Sequence, residues 1–300
     1  MPLTTRSAFG FERVWLSRAL SVIEREPEVF APARLHEATA LLGLGTRKVG
    51  ALKFWLRHLG LVKFEDNQAR ATPLGQIVGN YDPGFDEVGT WWTLHYRLSV
   101  DPEGATAYWW VTNHLRKQAF SVADIAEGLR GSFQDGTQRT LRDAASMVFA
   151  VIRHTPLSGE VGCYQAVGDE RFARCVPTIN SIPLGTLGYA VTDWAVMDQR
   201  TTVNIEELLL PGAPGRIYNL TRAVLDACVD RVHNSYRGQV LAISRTAGLN
   251  SLAINREIHP LQVLEAYYLA QVKGLAPDEA LRESIQHGLA TPLLAQEAED

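Results

Sequence analysis

Residues 32–74, PARLHEATALLGLGTRKVGALKFWLRHLGLVKFEDNQARATPL, constrain the fold more than any other stretch of the chain. Apolar residues recur at helical spacing in two runs, and glycines separate the runs. The last part of the stretch predicts a strand, a turn and a second strand. Helix, tight turn, helix and hairpin, in this order, predict a winged helix-turn-helix, a module that usually binds DNA.

Local chemistry predicts where these elements begin and end. The first helix is expected to bury Leu35, Ala38 and Leu42, and Gly43 and Gly45 are able to adopt positive φ in the turn. Thr46 is predicted to cap the second helix with its hydroxyl. That helix is expected to end at Gly60 and to bury Val49, Leu52, Leu56 and Leu59.

Basic side chains of this module fall mostly off the buried face of the second helix. Basic residues in the first turn of such a helix can reach a major groove or phosphates. The residues expected to contact DNA are Thr46, Arg47, Lys48, Lys53, Arg57, Lys63 and Arg70, with Arg245 beside a later hairpin. The alternative is a helix-turn-helix that makes only protein contacts.

Charge is unevenly distributed along the chain, whose net charge is -4. Residues 1–80 carry 11 Lys or Arg against 7 Asp or Glu, whereas the remainder carries 18 against 26. Phosphate binding depends on local basic surface, so the first third of the chain is the expected DNA face.

The predicted fold class is mainly α with small β-hairpins, with multiple winged helix-turn-helix-like units around an aromatic helical core. The expected domains are an N-terminal winged unit at 1–84, the aromatic core with a second helical or winged unit at 85–170, a C-terminal winged-helix-like unit at 171–274, and an acidic tail at 275–300. The tail is expected to be a loosely attached helix. Prolines and glycines between 172 and 194 predict strands and loops there.

Tryptophans are concentrated in the chain, at Trp15, Trp91, Trp92, Trp109 and Trp110. Such rings could stack on unpaired bases, but a packed centre between helices is favoured, because aromatic side chains dominate protein cores. His95 and His114 could bind a metal. Burial with a hydrogen bond is the favoured state for both.

No apolar run reaches the roughly 18 residues of a membrane span, and the first residues lack the apolar core of a secretory signal. Cys163, Cys175 and Cys228 are odd in number and widely spaced, which indicates neither a disulfide framework nor a zinc site. A reduced, cytoplasmic protein is therefore expected.

Several segments resemble one bacterial family: GFERVWLSRAL through the first hairpin, WWTLHY, ATAYWWVTNHL and SRTAGLNSLAINREIHPLQVLEAYY. This family of unknown function occurs in loci for DNA phosphorothioation and phage defence, and its best described branch, SspB, nicks DNA in single-strand phosphorothioation systems. The resemblance extends from about Phe9 to Tyr268. Family members often carry a His-Glu pair before the first helix; this chain reads SAFGFE at 7–12, so no role of that histidine is transferred.

The resemblance implies DNA binding, nicking before sulfur enters the backbone, and sulfur-transfer and ATPase proteins as partners. Nicking commonly uses clustered carboxylates that hold Mg²⁺ or Mn²⁺, so a divalent metal is the expected cofactor. The candidate acidic pairs are Asp193 with Asp198, Glu206 with Glu207, and Asp226 with Asp230. An ordinary ion-paired helix face is the favoured alternative for the last pair.

A further candidate group is His233, Tyr236 and Arg237, which could supply a base or nucleophile or could simply end a helix. No catalytic residue or metal ligand is assigned from the sequence. The leading hypothesis is a DNA-binding nicking endonuclease, or a subunit of a nicking complex. The alternatives are a non-catalytic winged-helix adaptor or transcriptional regulator of such a locus, and a protein-interaction scaffold. A homodimer is expected because helix-turn-helix proteins often pair on DNA.

Overall fold

The computed structural model describes residues 9–134, 136–246 and 249–287, and the fold is mainly α-helical with small antiparallel sheets, as predicted. The chain divides into two compact units, Met1–Cys175 and Val176–Asp300. Within the described residues, no helix combines the length and the apolar character that crossing a membrane requires. Parts of the predictions at Ser7, Ala8, Ala247, Gly248 and 288–300 lie outside the described residues.

The first unit begins with the predicted order of elements: α1 (Arg13–Arg25), α2 (Leu35–Leu42), α3 (Thr46–His58), β1 (Val62–Glu65) and β2 (Gln68–Ala71). Gly43 ends α2 with φ 65°, and Gly60 follows α3 with φ 71°. Asp66 and Asn67 also have positive φ, the conformation of a two-residue hairpin turn. The four predicted core positions of α3 are all buried.

Two details of this module differ from the prediction. Leu35 is 41% exposed, so α2 buries only Ala38 and Leu42 of the predicted stripe. Gly45, with φ −65°, occupies the N-cap position of α3, and Thr46 is the first helical residue. The cap prediction for Thr46 was wrong by one residue, because Gly43 already supplies the left-handed turn and the chain re-enters the helix directly after Gly45.

Three further helices, α4 (Pro73–Tyr81), α5 (Val88–Val100) and α6 (Thr106–His114), follow the hairpin and carry the aromatic core. Trp91, Trp92 and Trp110 are buried. The ring of Phe11 lies 5.0 Å from Trp55 of α3 and 6.5 Å from Trp91 of α5. The aromatic segment therefore packs directly against the predicted helix-turn-helix.

The two histidines of the aromatic segment have different environments. His95 is buried, and a hydrogen bond of 2.9 Å joins its Nδ1 to the Tyr108 hydroxyl. His114 is exposed at the end of α6, with its ring 4.7 Å from that of Trp109. The prediction of a buried histidine is thus confirmed for His95 and wrong for His114, which lies on the solvent side of the end of α6 although its neighbours Asn113 and Leu115 are buried.

The first unit is completed by β3 (Ala119–Phe120), α7 (Val122–Ser132), α8 (Gln138–His154), β4 (Tyr164–Ala166) and β5 (Phe172–Arg174). The three strands pair in the order β3-β5-β4. Ser121 and Asp124 form the predicted capping box at the start of α7. Helix, strand, two helices and a hairpin thus follow one another from α6 onward.

The second unit has a similar order: α9 (Leu184–Met197), β6 (Thr202–Asn204), a 3-10 turn (Ile205–Leu209), α10 (Pro214–Ile217), α11 (Arg222–Ser235), β7 (Leu241–Thr246) and β8 (Leu249–Ile254). Its strands pair in the order β6-β8-β7. Two helices, α12 (Pro260–Lys273) and α13 (Pro277–His287), complete the described part of this unit.

Helix α9 occupies a stretch for which strands and loops were predicted. Its glycines are points of close helix contact: a Cβ on Gly185 would lie 2.5 Å from Cβ of Tyr267, and one on Gly188 would lie 3.1 Å from Val263. Both partners belong to α12. The prediction was wrong because packing between helices, and not a turn, is what requires these glycines.

Helix α13 is firmly attached, although a loosely attached helix was predicted after Gly274. The Asp278 carboxylate is buried and lies 3.0 Å from the Arg237 guanidinium and 2.5 Å from that of Arg282. The Ser284 hydroxyl donates a hydrogen bond of 2.6 Å to the buried Glu265 carboxylate on α12. The charged composition of the tail concealed these contacts.

Candidate nucleic-acid interface

The start of α3, which follows the turn after α2, is exposed to solvent. The Arg18 guanidinium on α1 donates a hydrogen bond of 2.8 Å to the carbonyl of Leu42, the last residue of α2. No side chain caps α3, and Thr46 and Arg47 are exposed. Unsatisfied amides and the positive end of the helix dipole make such a helix start favourable for anions.

Arg47 and Lys48 follow immediately in the first turn of α3. Arg47 makes no ion pair within the described part of the chain. The Lys48 ammonium lies 4.8 Å from the ring centroid of Trp15 on α1. This cation–π contact orients the lysine but leaves its charge without a carboxylate partner among the residues described.

Further along α3, Lys53 and Arg57 both contact Phe64 of β1. The Lys53 ammonium and the Arg57 guanidinium lie 4.9 Å and 5.4 Å from the centroid of that ring. The Phe64 ring in turn packs edge-on against Phe30. The aromatic side chain thus fixes two basic side chains where α3 meets the hairpin.

The hairpin adds Lys63 and Arg70, which are exposed and directly opposite each other in the strand register. The Arg70 guanidinium donates a hydrogen bond of 2.7 Å to the Gln68 side chain. Because they are directly opposite, both side chains present positive charge on the same face of the hairpin.

The first seven predicted contact residues therefore lie on α3 and its hairpin. Arg245 belongs to the second compact unit, on β7. Its guanidinium lies 2.5 Å from the Asp230 carboxylate, and this hydrogen bond raises the pKa of Arg245. Because its charge is already matched, Arg245 is a weaker candidate for phosphate contact than the others.

Sequence reasoning missed the residues that position the basic side chains. Trp15 of α1 is only half-buried, and its neighbour Val14 is 56% exposed. The buried residues of α1 are Leu16, Ala19, Val22 and Ile23. A helical phase centred on Leu16 and Ala19 would have placed Trp15 at the edge of the core, within reach of Lys48.

Five of the six carboxylates proposed as metal ligands are bound to arginines: Asp198, Glu206, Glu207, Asp226 and Asp230. Arg222 lies 2.9 Å from Asp226 and 2.8 Å from Glu206, and Arg200 lies 3.0 Å from Asp198 and 3.3 Å from Glu207. Within the described residues, no three His, Cys, Asp or Glu side chains form a group that could hold a metal ion. These donors therefore do not fit a resident divalent cation, and the ion-paired alternative for α11 is the arrangement observed.

The candidate catalytic group at the end of α11 is occupied by structural contacts. Tyr236 is buried, and burial raises the pKa of its hydroxyl, which opposes a role as nucleophile. The His233 Nδ1 lies 3.2 Å from the Leu241 carbonyl, and Arg237 is bound to Asp278. The helix-terminus interpretation accounts for all three residues.

Comparison with solved structures finds two similar chains. A magnesium-ion-bound SspB crystal structure is 19% identical, with a TM-score of 0.73, and the match covers 93% of this chain and 95% of that one. A second SspB crystal structure is 20% identical, with a TM-score of 0.72 and the same coverage. The similarity establishes a shared fold across nearly the whole chain.

A search of curated protein sequences returned no match. A family model described as "Protein of unknown function (DUF4007)" matches residues 5–148 and 156–268. The two matched stretches include α1 to α3, the first hairpin, the aromatic helices and most of the second unit. The chain therefore belongs to the DUF4007 family.

Proposed function

We propose that this protein is a DNA-binding component of a bacterial DNA phosphorothioation and phage-defence system, in which it docks duplex DNA for the nicking of one strand. The observation that carries the proposal is the basic surface of α3 and the first hairpin. Of its residues, Arg47, Lys48, Arg57 and Arg70 make no ion pair within the described residues. In the second unit, Arg222 at the start of α11 and Arg245 on β7 are both matched by carboxylates.

In this proposal the first module is a winged helix-turn-helix. The open start of α3 and Arg47 receive phosphates or base edges, and the hairpin residues Lys63 and Arg70 contact the flanking backbone. Lys53 and Arg57 are held between these two parts by Phe64. The likeness to SspB structures and the sequence resemblance support the phosphorothioation setting, in the bacterial cytoplasm, with sulfur-transfer and ATPase proteins as partners.

Duplex binding is tested by fluorescence anisotropy with Arg47→Ala/Lys48→Ala. We expect the double variant to lose at least about tenfold in affinity, because two phosphate-contacting charges are removed. The matched control is Arg245→Ala/Arg222→Ala, which removes two charges that carboxylates already neutralise. Unchanged affinity in the first variant, or an equal loss in both, would refute α3 as the docking element.

The nicking step is tested separately with supercoiled plasmid in Mg²⁺ and in Mn²⁺. A nicking endonuclease converts the plasmid to the open circle, whereas the alternative, a non-catalytic adaptor or regulator, binds without cutting. The arginine-bound carboxylates favour a subunit that delivers DNA to a nicking complex. Open-circle product from the purified protein alone would instead assign the cutting to this chain.

A homodimer forms part of the proposal, since two copies of α3 could meet two half-sites of a duplex. Sedimentation velocity with and without duplex DNA measures the number of copies. A monomer in both conditions would refute pairing while leaving duplex docking unaffected.

A further inference from the structure

A second basic site lies in the first unit, away from α3, in a cleft of about 880 Å³ between α7 and α8. Arg142 and Arg153 of α8 and Arg130 of α7 line it. Along α8 the lining residues recur at one-turn steps, so they form a single stripe that faces α7. None of this cleft's arginines belongs to the interface proposed above.

The arginines of the cleft are available to an anion. Arg130 and Arg142 are exposed and make no ion pair within the described ranges. Arg153 is held in place by the Phe149 ring, 5.0 Å away, and by a hydrogen bond of 2.9 Å that its guanidinium donates to the Asp169 carbonyl. The ring and the carbonyl group hold the Arg153 guanidinium in place without neutralising its charge.

Two carboxylates also line the cleft and limit its positive charge. Glu127 lies 3.6 Å from the Lys117 ammonium and is partly matched by it. Glu170 is exposed and makes no ion pair among the residues described, so it opposes any anion that enters. Removing the charge of Glu170 should therefore strengthen the binding of an anion, whereas removing an arginine should weaken it.

The dimensions of the stripe indicate the class of ligand. Arg142 and Arg153 are eleven residues apart, which separates them by about 16 Å along the axis of α8. That distance suits several consecutive phosphates better than one. A cleft of about 880 Å³ between two neighbouring helices suits part of one extended strand better than it suits a duplex.

We propose that the α7–α8 cleft binds the phosphate backbone of single-stranded nucleic acid. Single-strand sites characteristically combine a positively charged groove with salt-dependent affinity. Ala123 and Ala126 on α7 keep this groove open opposite the arginines. The site is separate from the duplex-docking surface, and this proposal does not depend on the proposal of duplex docking.

The test measures the binding of a labelled single-stranded DNA of about 12 nucleotides, a length within the range of known single-strand sites. The main variant is Arg130→Gln/Arg142→Gln, which changes two exposed residues and should leave the melting temperature unchanged. We expect a loss of about tenfold in affinity and a salt dependence flatter by about 1.4, since each phosphate contact on a single strand contributes about 0.7 to the slope.

Two further variants decide whether the cleft itself is responsible. Arg139→Gln removes one positive charge from α8 at a side chain that is 92% exposed and does not line the cleft, so it should change affinity less than about twofold. Glu170→Gln should tighten binding, because it removes a negative charge from the lining. Loss in Arg139→Gln equal to that in the double variant, or no loss in the double variant, would overturn the proposal.

Two competing ligands complete the experiment. Duplex DNA of the same sequence should bind the double variant as it binds the wild type, since its proposed contacts lie on α3 and the hairpin. An equal loss of duplex and single-strand affinity would overturn the assignment to a single strand. Displacement of the strand by polyglutamate at equal charge would also overturn it, in favour of an acidic peptide.

Discussion

At the scale of single residues, two glycines show how the absence of a side chain acts differently in two helices. A Cβ on Gly185 of α9 would meet the Tyr267 Cβ at 2.5 Å and the Tyr236 hydroxyl at 3.0 Å. Neither atom can move freely, because both tyrosines belong to the core of the second unit. Gly50, in the middle of α3, is exposed, and a Cβ there would meet no atom within 4 Å.

These environments predict opposite effects of the same substitution. Gly185→Ala should lower the free energy of unfolding by about 1–3 kcal/mol through overpacking. Gly50→Ala should raise it by about 0.5–1 kcal/mol, because alanine favours a helix more than glycine does. Urea denaturation measures both. Equal effects would contradict the account of α9 as a helix seated on α12 by its glycines.

The ion pair between Lys117 and Asp124, at the start of α7, makes the stability of the fold depend on pH. The Lys117 ammonium, 2.6 Å away, and the Ser121 amide and hydroxyl lower the pKa of Asp124 from 3.8 to about 2. A carboxyl group whose pKa is lower in the folded state stabilises the fold above its ordinary pKa. That contribution is lost as the pH falls from about 4 to about 2.

We therefore expect Asp124→Asn to reduce the free energy of unfolding by about 1 kcal/mol at neutral pH. The difference from the wild type should shrink between about pH 4 and pH 2, where the wild-type carboxyl group takes up its proton. Asp143→Asn is the control, because its contact with Arg139 is long, at 3.9 Å, and exposed. A pH-independent difference for Asp124→Asn would refute the role of its charge.

At the scale of elements, α13 is attached to the second unit mainly through its first turn and one inward face. Asp278 is 3% exposed and binds two arginines, one on α13 itself and one after α11. Ala280, Leu281 and Ser284 are also buried. The helix therefore packs on the folded core as far as Ser284.

Asp278→Ala should destabilise the second unit by about 2 kcal/mol, because hydrogen bonds to a buried charged group are lost. Hydrogen exchange of the α13 amides should accelerate more than that of α12. Glu283→Ala, which removes the half-buried partner of the exposed Lys273, should cost less than about 1 kcal/mol. Slow exchange in α13 of the Asp278 variant would show that its apolar face alone holds the helix.

The elements also show which features a sequence can predict. The ends of α2, α3 and α7 were predictable because Gly43, Gly60 and the Ser121–Asp124 box act within a few residues. The helix α9 was not, since its glycines are explained only by α12, more than seventy residues later. For the same reason the sequence showed that α3 and its hairpin carry basic residues, but it did not show the pairing of Arg245 with Asp230.

At the scale of the whole molecule, the charge of the chain is unevenly distributed. Residues 1–80 carry a balance of +4, whereas the remaining residues carry −8. If the protein docks duplex DNA as proposed, the first module should attract the duplex and much of the remaining charge should repel it. The affinity for duplex DNA should then depend on a few basic side chains, because the rest of the chain carries no excess of positive charge that could replace them.

This dependence predicts the effect of salt on duplex binding. Each phosphate contact on B-DNA contributes about 0.9 to the slope of log affinity against log salt concentration, so Arg47→Ala/Lys48→Ala should flatten the slope by about 1.8. Arg222→Ala/Arg245→Ala should leave the slope unchanged, because Asp226 and Asp230 already match those charges. Anisotropy titrations at several salt concentrations measure both slopes. A similar change in the two variants would mean that duplex DNA responds to the total charge of the molecule and not to the surface formed by α3 and its hairpin.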